Sequence, residues 1–288
     1  MGEKINVKEI VTRKKEELKA KVNSLKKMGI QPKLSVVLAS EDEASKIYVG
    51  KKRKMCEELG IEQDEHILDE SVTTDEVVDI INTLNKDKSV NGILVQLPLF
   101  KHLDMDRVLD TISEKKDVDG FHPLTLGKLF IGEKETIVSC TPKGIMTILD
   151  DIGVECEGKH AVIVGRSRIV GKPISQLLLK RGATVTVCHS KTKDISLYTK
   201  QADILVAAVG KPHIITKDMV KKDAIVIDVG INRIDGKILG DVDTENVLEV
   251  CDKITPVPGG VGLTTVLSLL ENVVQATIEQ NDIQIKEG

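Results

Sequence analysis

Tryptophan is absent from this sequence, and other aromatic residues are scarce. The 288 residues include two Tyr, three Phe and no Trp. Because proteins hold single-stranded nucleic acids by stacking the bases on aromatic side chains, this composition argues against that class of binder. The formal net charge of -4 also argues against a broadly basic surface for nucleic acid.

Cysteine pairs and long apolar runs are missing as well. An odd, dispersed set of cysteines is typical of buried thiols in a reducing compartment, and not of a disulfide framework or a zinc site. No uninterrupted apolar run approaches the roughly 18 residues of a membrane helix. The amino-terminal residues mix Glu with Lys and lack the apolar region of a signal peptide. We therefore expect a cytoplasmic protein without a metal, membrane or nucleic-acid partner; its five cysteines are Cys56, Cys140, Cys156, Cys188 and Cys251.

The order of apolar patterns predicts two α/β domains with parallel sheets. Helical spacing of apolar residues alternates with short apolar runs, as in strands that are covered by helices on both faces. A stretch rich in Gly and Pro at 119–142 predicts a loop and linker between two such series. The first series has helices at 7–28, 42–59 and 75–85 with strands at 34–39, near Ile67 and at 92–95; the second has four strands from residue 160 and a last helix at 264–280.

The second series opens with a strand, a loop and a helix that together are typical of a dinucleotide site. The loop reads GRSRIVGKP over 165–173, where backbone N–H groups at the start of a helix can hold a pyrophosphate. Gly165 permits a tight turn, and Gly171 permits a close approach of the helix. Ser167 replaces the second glycine of the usual GxGxxG pattern, so the loop alone is equally compatible with an ordinary strand–helix turn.

The end of the following strand indicates which nucleotide the loop favours. An NAD site usually has Asp or Glu about 20 residues after the glycines, where it holds the ribose 2′-hydroxyl. Here the chain reads Cys188-His189-Ser190-Lys191, without a carboxylate until Asp194. Arg166 and Lys191 could surround a 2′-phosphate, with a hydrogen bond from Ser190. Although a solvated basic surface would look the same, we expect NADP as the cofactor.

A lysine lies on the inward face of the second predicted helix. Tyr48, Lys52, Cys56 and Leu59 follow each other at steps of three or four residues, so they share one otherwise apolar face. Such a lysine either extends its amine to the surface or serves a function.

Two further segments could supply partners for this lysine. Gln96 follows a strand at the carboxyl edge of a parallel sheet, where ligands bind. Asp117 and Asp119 precede a glycine in KDVDG, and paired Asp residues before Gly are more often turn formers than catalytic groups. The pattern by itself favours the turn.

Seven segments in this order resemble the bifunctional methylenetetrahydrofolate dehydrogenase/methenyltetrahydrofolate cyclohydrolase family across essentially the whole chain. They are YVGKK (48–52), GILVQLPL (92–99), KDVDGFHP (116–123), GRSRIVGKP (165–173), TVTVCHS (184–190), VIDVGIN (226–232) and PVPGGVG (256–262). The resemblance implies a folate-binding catalytic domain of residues 1–140 and 265–288 and a Rossmann-like NADP-binding domain of residues 141–264. In this arrangement the C-terminal helix returns to the first domain, and the site lies in the cleft between the domains.

The same resemblance implies roles for individual residues. Lys52 resembles the catalytic lysine, Gln96 the amide that orients it, Tyr48 a ring neighbour of the folate and Asp119 the carboxylate that reads the pterin. The implied NADP contacts are Gly165, Arg166, Ser167, Ser190 and Ile231, and the implied further folate contacts are Pro258, Gly259 and Gly260.

The implied activity is oxidation of 5,10-methylenetetrahydrofolate with NADP, followed by hydrolysis of the methenyl product to 10-formyltetrahydrofolate. It would be carried out by a cytoplasmic homodimer of one-carbon metabolism that serves purine, histidine and methionine biosynthesis. Leu263-Thr264-Thr265 departs from the Pro-Met-Thr that commonly follows PGGVG in the family. Two alternatives stay open: a shikimate-dehydrogenase-like oxidoreductase, with Lys52 and Asp119 as its Lys/Asp pair, and a non-catalytic NADP-sensing module.

Overall fold

A computed structural model describes residues 2–133 and 136–283. Its helices are α1 (Val7–Lys27), α2 (Glu43–Leu59), α3 (Thr74–Lys86), α4 (Met105–Thr111), α5 (Pro123–Ile131), α6 (Cys140–Asp151), α7 (Gly171–Lys180), α8 (Ser196–Thr199), α9 (Thr244–Val247) and α10 (Val261–Gln280). Its strands are β1 (Glu3–Lys4), β2 (Lys33–Leu38), β3 (Glu62–Ile67), β4 (Gly92–Val95), β5 (His160–Val164), β6 (Thr184–Cys188), β7 (Ile204–Ala207), β8 (Ile225–Asp228), β9 (Asn232–Ile234), β10 (Lys237–Leu239) and β11 (Lys253–Ile254).

The chain forms two compact α/β units, as the alternating patterns predicted. The three-stranded unit comprises Lys14–Cys140 and the residues from Val266 onward, and the six-stranded unit comprises the residues up to Arg13 together with Thr141–Thr265. The division differs from the expected boundaries at the amino end because β1 pairs in parallel with β11 of the six-stranded sheet. Residues 134–135 of the expected linker and 284–288 of the expected first domain lie outside the described residues.

In the three-stranded unit the strands follow the order β3-β2-β4, and all of them are parallel. Strand β2 is buried from Leu34 to Leu38, which explains why its sequence is apolar apart from Ser35. Helix α10 packs in this unit, where the amide of Asn272 donates hydrogen bonds to the carbonyls of Val118 (2.9 Å) and Val138 (2.8 Å). The return of the C-terminal helix to the first domain is therefore confirmed.

The six-stranded unit has the strand order β1-β11-β8-β7-β5-β6, again with parallel pairs throughout. Strand β5 lies between β6 and β7. The chain therefore continues from β5 to β6 on one side and then crosses over to β7 on the other side. A crevice outside the carboxyl ends of the strands forms at such a point, and it is the usual ligand site of a doubly wound sheet.

Helix α5 lies in the stretch that the sequence predicted to be a loop and linker, so that prediction was wrong for these nine residues. Pro123 occupies the first turn, His122 caps its start by accepting a hydrogen bond from Leu124 N–H, and Gly132 ends it at a positive φ of 74°. Pro at the first turn and Gly after the last are favourable helix signals. The sequence analysis did not recognise these signals, because Gly127 interrupts the helical pattern of apolar residues between them.

Helix α10 is the one described helix that is long and apolar enough to meet the criteria for a membrane span. The apolar stretch is interrupted by polar residues, so it was not recognised as a continuous run. In the structure 67% of it is buried inside the protein, which makes it a core helix here.

Candidate active site

Lys52 lies in the second half of α2, on the face that the helical spacing predicted. Tyr48 and Lys52 are half-buried on this face, and Cys56 and Leu59 are fully buried behind them. The helix begins with Asp42, whose carboxylate accepts a hydrogen bond from Ser45 N–H, and ends at Gly60 with φ 77°. These two caps fix the rotation of the helix and so direct Lys52 inward.

Gln96 lies opposite Lys52, directly after β4. The Lys52 Nζ atom donates a hydrogen bond of 2.7 Å to Gln96 Oε1. The other amide atom, Gln96 Nε2, donates to the carbonyl of Leu97 at 2.8 Å, and the Gln96 backbone N–H donates to Val37 in β2. The side chain is held at both ends of its amide, so Oε1 faces the amine.

Burial lowers the pKa of the Lys52 amine below its ordinary value, because the charged form loses its water shell. Asp119 is the strongest opposing influence, followed by Cys140 and Cys56, and these do not outweigh burial. Burial also raises the pKa of Cys56 to about 12, so this neighbour remains a neutral thiol. Lys52 therefore has access to the free amine closer to neutral pH than an exposed lysine does.

The two aspartates of KDVDG have different tasks. Asp117 is buried and forms the turn, since its carboxylate accepts hydrogen bonds from the N–H groups of Gly120 (3.0 Å) and His122 (2.8 Å). The preference for a turn was thus right for Asp117. Asp119 faces Lys52 instead: burial raises its pKa to about 6, with Lys52 and a Cys140 thiol hydrogen bond opposing the rise and Asp117 adding to it.

Gly120 is required where this turn approaches the next segment. Its φ is 73°, and a Cβ there would lie 2.7 Å from Ser139 N. The turn therefore packs directly on the backbone that leads to Cys140. The sequence did not single out Cys140 or Cys56, although the step of four residues from Lys52 pointed to Cys56.

The predicted dinucleotide loop leaves β5 with a backbone that only glycine can adopt. Gly165 has φ 132°, and a Cβ would lie 2.3 Å from the carbonyl oxygen of Ala208. A Cβ at Gly171 would lie 2.2 Å from the Gly165 oxygen, so loop and helix α7 are in direct contact. Ser167 accepts hydrogen bonds from the N–H groups of Val170 and Gly171, which explains a serine in this position.

A cavity of about 600 Å³ opens at this loop, a size typical of small-molecule sites. It brings together four of the predicted cofactor residues, Gly165, Arg166, Ser167 and Ser190, but Ile231 and Lys191 do not line it among the described residues. Ile231 is half-exposed beside Gly262. Lys193 and Lys211, which the sequence analysis missed, add positive charge to that of Arg166, and the Asp194 carboxylate lines the same cavity.

The glycine-rich segment before α10 belongs to the six-stranded unit. Val257–Pro258 is a cis peptide bond, Gly259 has φ 100°, and a Cβ at Gly260 would lie 2.3 Å from the Pro256 oxygen. Thr264, one of the departing residues, is fully buried and donates to the Val261 carbonyl. Pro258, Gly259 and Gly260 are thus in a different compact unit from Lys52.

Comparison with known proteins covers most of the chain. Two models of the tetrahydrofolate dehydrogenase/cyclohydrolase family match: the catalytic domain at residues 5–119 and the NAD(P)-binding domain at residues 139–281. The bifunctional protein FolD of Acetivibrio thermocellus is 50% identical over 273 residues, which are 94% of this chain and 95% of that protein.

Solved structures agree. The bifunctional methylenetetrahydrofolate dehydrogenase/cyclohydrolase FolD from Campylobacter jejuni has a TM-score of 0.95 and 48% identity, covering 97% of this chain and 99% of that one. The Trypanosoma brucei enzyme, solved with NADP cofactor and an inhibitor, has a TM-score of 0.92 and 34% identity, covering 96% and 98%. Shikimate dehydrogenase from Thermus thermophilus reaches a TM-score of only 0.50 at 13% identity, a likeness of fold alone.

Proposed function

The chain belongs to the tetrahydrofolate dehydrogenase/cyclohydrolase family, and from this premise we propose that Lys52 and Gln96 handle the proton of its hydrolytic step. The protein is a bifunctional enzyme of one-carbon metabolism. It oxidises 5,10-methylenetetrahydrofolate to the methenyl form with NADP and hydrolyses that form to 10-formyltetrahydrofolate. A shikimate-dehydrogenase-like activity and a non-catalytic sensing module are both set aside by these relatives.

The observation that carries the proposal is the 2.7 Å hydrogen bond from Lys52 Nζ to Gln96 Oε1. An amide oxygen orients the amine without adding a negative charge. A carboxylate in the same place would raise the lysine pKa, whereas burial lowers it here. The pair is therefore suited to an amine that must be neutral for part of its cycle.

The two chemical steps make different demands on these residues. Bound NADP supplies the hydride acceptor for the oxidation. That step needs alignment and no obligatory base, because the methenyl product is a cation formed without loss of a proton. Hydrolysis adds water to the methenyl carbon, and the attacking water must lose a proton, which the neutral Lys52 amine can accept. The bond from this carbon to N5 then breaks, and N5 takes up a proton as the 10-formyl product forms. Proton transfer of this kind typically contributes about 10²- to 10⁴-fold in rate.

We propose that the neighbours of Lys52 bind the folate. The Asp119 carboxylate accepts hydrogen bonds from the pterin N–H groups, and the half-buried Tyr48 ring packs against the aminobenzoyl ring. Lys51 Nζ lies 5.4 Å from the Tyr48 ring centroid, which supports the ring in that orientation. Pro258, Gly259 and Gly260 are proposed as further folate contacts.

The chain's own residues fit NADP in the six-stranded unit. Gly165 and Ser167 offer backbone and hydroxyl groups at the start of α7, and Arg166 with Ser190 offers the charge and hydrogen bond for a 2′-phosphate. Ile231 is proposed as an apolar contact beside them, although it does not line the cavity. We propose residues 141–264 as the NADP domain and residues 1–140 with 265–288 as the folate domain, although β1 adds a strand to the six-stranded sheet.

We propose further that the enzyme is a cytoplasmic homodimer that serves purine, histidine and methionine biosynthesis. All five cysteines are buried free thiols, which suits a reducing compartment. Strand β6 ends the six-stranded sheet with Val187 exposed, which leaves an edge for a second copy. Light scattering on the purified protein tests the dimer.

The test of the proposed roles is Lys52→Met. We expect hydrolysis of the methenyl substrate to fall at least 100-fold while NADP-dependent oxidation remains measurable. Lys54→Met, an exposed lysine two residues away, is the matched control and leaves both activities unchanged. If the Lys52 variant loses oxidation completely and still hydrolyses the methenyl compound, the assignment of Lys52 is wrong.

A further inference from the structure

A fully buried carboxylate lies behind the wall of the NADP cavity. Asp241 follows strand β10 and has no exposed surface. Its carboxylate accepts hydrogen bonds from three successive backbone N–H groups, those of Val209 (2.6 Å), Gly210 (3.0 Å) and Lys211 (2.9 Å). Asn232 Nδ2 donates a fourth hydrogen bond at 3.0 Å. These four hydrogen bonds satisfy the acceptor capacity of both carboxylate oxygens.

The three N–H groups belong to the loop that follows β7. Ala208, Val209 and Lys211 line the cavity, and the Ala208 oxygen approaches Gly165 so closely that a Cβ there would be 2.3 Å away. This loop therefore forms the wall next to the dinucleotide loop. Asp241 accepts hydrogen bonds from the backbone N–H groups of this loop and does not itself line the cavity.

Asp241 is in turn rigidly held. Asp228, at the end of β8, accepts hydrogen bonds from the N–H groups of Asp241 and Val242, each at 2.9 Å. The Asp241 carbonyl accepts from Ile215 N–H at 3.1 Å. The Gly230 backbone packs closely against this carboxylate, since a Cβ there would lie 2.2 Å from Asp241 Oδ1.

A carboxylate is the side chain that suits this arrangement. Three N–H groups from consecutive residues converge on it, and Asn would offer one acceptor oxygen while turning an NH₂ group toward the remaining donors. At least one backbone N–H would then be unsatisfied, and the loop would have to move to recover a partner. A carboxylate is therefore required in a place that does not line the cavity.

We propose that Asp241 is a positioning residue of the NADP site: it fixes the loop Ala208–Lys211 in the conformation that receives the cofactor. The proposal goes beyond the proposed catalytic roles, since it assigns a task to a residue of the other compact unit. Because hydrolysis of the methenyl substrate does not use NADP, the second activity of the enzyme provides an internal reference.

The test compares Asp241→Asn with Asp243→Asn. Asp243 is two residues away on the same segment, and its carboxylate accepts a hydrogen bond from Asn246 rather than from the loop. We expect the Asp241 variant to bind NADPH at least tenfold more weakly, by the fluorescence of the bound nicotinamide, and to show a matching rise in KM for NADP. Its rate of methenyl hydrolysis stays within twofold of the wild type, and the Asp243 variant changes neither quantity.

Two outcomes would overturn the proposal: unchanged NADPH affinity in a folded Asp241→Asn protein, or a parallel loss of hydrolysis and NADPH binding. If the Asp241→Asn protein does not fold, the same two measurements on Asn232→Ala test the proposal, because this change removes one of the four donors to Asp241. A two- to fivefold weaker NADPH affinity with unchanged hydrolysis then supports the proposal, and unchanged affinity contradicts it.

Discussion

Burial acts on Lys52 and Asp119 in opposite senses. It lowers the pKa of the amine and raises that of the carboxyl to about 6, because in both cases the neutral form loses less on leaving water. Each group also favours the charged form of the other. The site therefore holds an amine whose pKa is shifted down and a carboxyl whose pKa is shifted up, both toward neutrality.

The first prediction concerns the pH dependence of folate recognition. Below a pH of about 6 Asp119 is protonated, so it loses its negative charge and one of its oxygens becomes a donor. Its hydrogen bonds from the pterin N–H groups weaken, and kcat/KM for methylenetetrahydrofolate oxidation falls up to tenfold per pH unit. Asp119→Asn flattens the profile at a low level, and Asp110→Asn, at an exposed aspartate of α4, leaves it as in the wild type. A wild-type profile that is level from pH 5 to 7 contradicts the role of Asp119.

The same carboxyl affects stability with a defined sign. Its pKa is raised on folding, so between pH 4 and 6 the folded state binds more protons than the unfolded state. The contribution of Asp119 to the free energy of unfolding therefore decreases as pH rises through this window. Chemical denaturation of wild type and Asp119→Asn at pH 4.5 and 7 measures the difference.

At the scale of elements, helix α6 packs closely against the first turn of α10. Gly144 in α6 faces Thr264 in the first turn of α10, and a Cβ at Gly144 would lie 2.2 Å from Thr264 Oγ1. Thr264 is fully buried. At residue 264, where the family pattern commonly has Met, this chain therefore has a threonine that packs against Gly144.

We expect Gly144→Ala to lower the free energy of unfolding by about 1–3 kcal/mol, because the added methyl group overpacks this contact. Gly127→Ala is the matched control: it also lies within a helix, it has open space around its Cβ position, and it should stabilise the protein slightly. In the double variant Gly144→Ala/Thr264→Ala the cost should be smaller than the sum of the single costs. Additive costs in urea denaturation would show that the two residues do not share a contact.

At the scale of the whole molecule, the chain begins in one unit and continues into the other. Strand β1 closes the edge of the six-stranded sheet through hydrogen bonds from Gly2, Glu3 and Ile5 to the segment 248–254. Ile5 is buried next to this edge. A short terminal segment thus contributes to a sheet whose other strands lie more than 150 residues away.

Ile5→Ala should lower the free energy of unfolding by about 2–4 kcal/mol, the usual cost of truncating a buried isoleucine. Lys4→Ala, an exposed neighbour in the same strand, should change it by less than about 0.5 kcal/mol. Urea denaturation followed by circular dichroism compares the two variants. Equal stability of Ile5→Ala and the wild type would mean that β1 contributes nothing to the sheet in solution.

Local rules on the sequence determined most of the architecture. The period of apolar residues gave the parallel strands and the helices α1, α2 and α3, because burial on one face of a helix or both faces of a strand leaves a regular pattern. The same period placed Lys52 on an inward face, and the motifs gave Gly165 and Arg166 their place in a strand–loop–helix turn. Helix α5 was not predicted, because a glycine within it interrupts the helical pattern between its capping residues.

Only the tertiary structure decided which distant groups meet. The hydrogen bond between Lys52 and Gln96, the contrast between Asp117 and Asp119, and the four donors on Asp241 join residues separated by up to 44 positions in the chain. No periodicity encodes such pairs, because they depend on strand order and on the loops between strands. The pKa changes of Lys52 and Asp119 also depend on the tertiary structure. Desolvation is set by the residues that pack around a group, and these cannot be read from its position in the sequence.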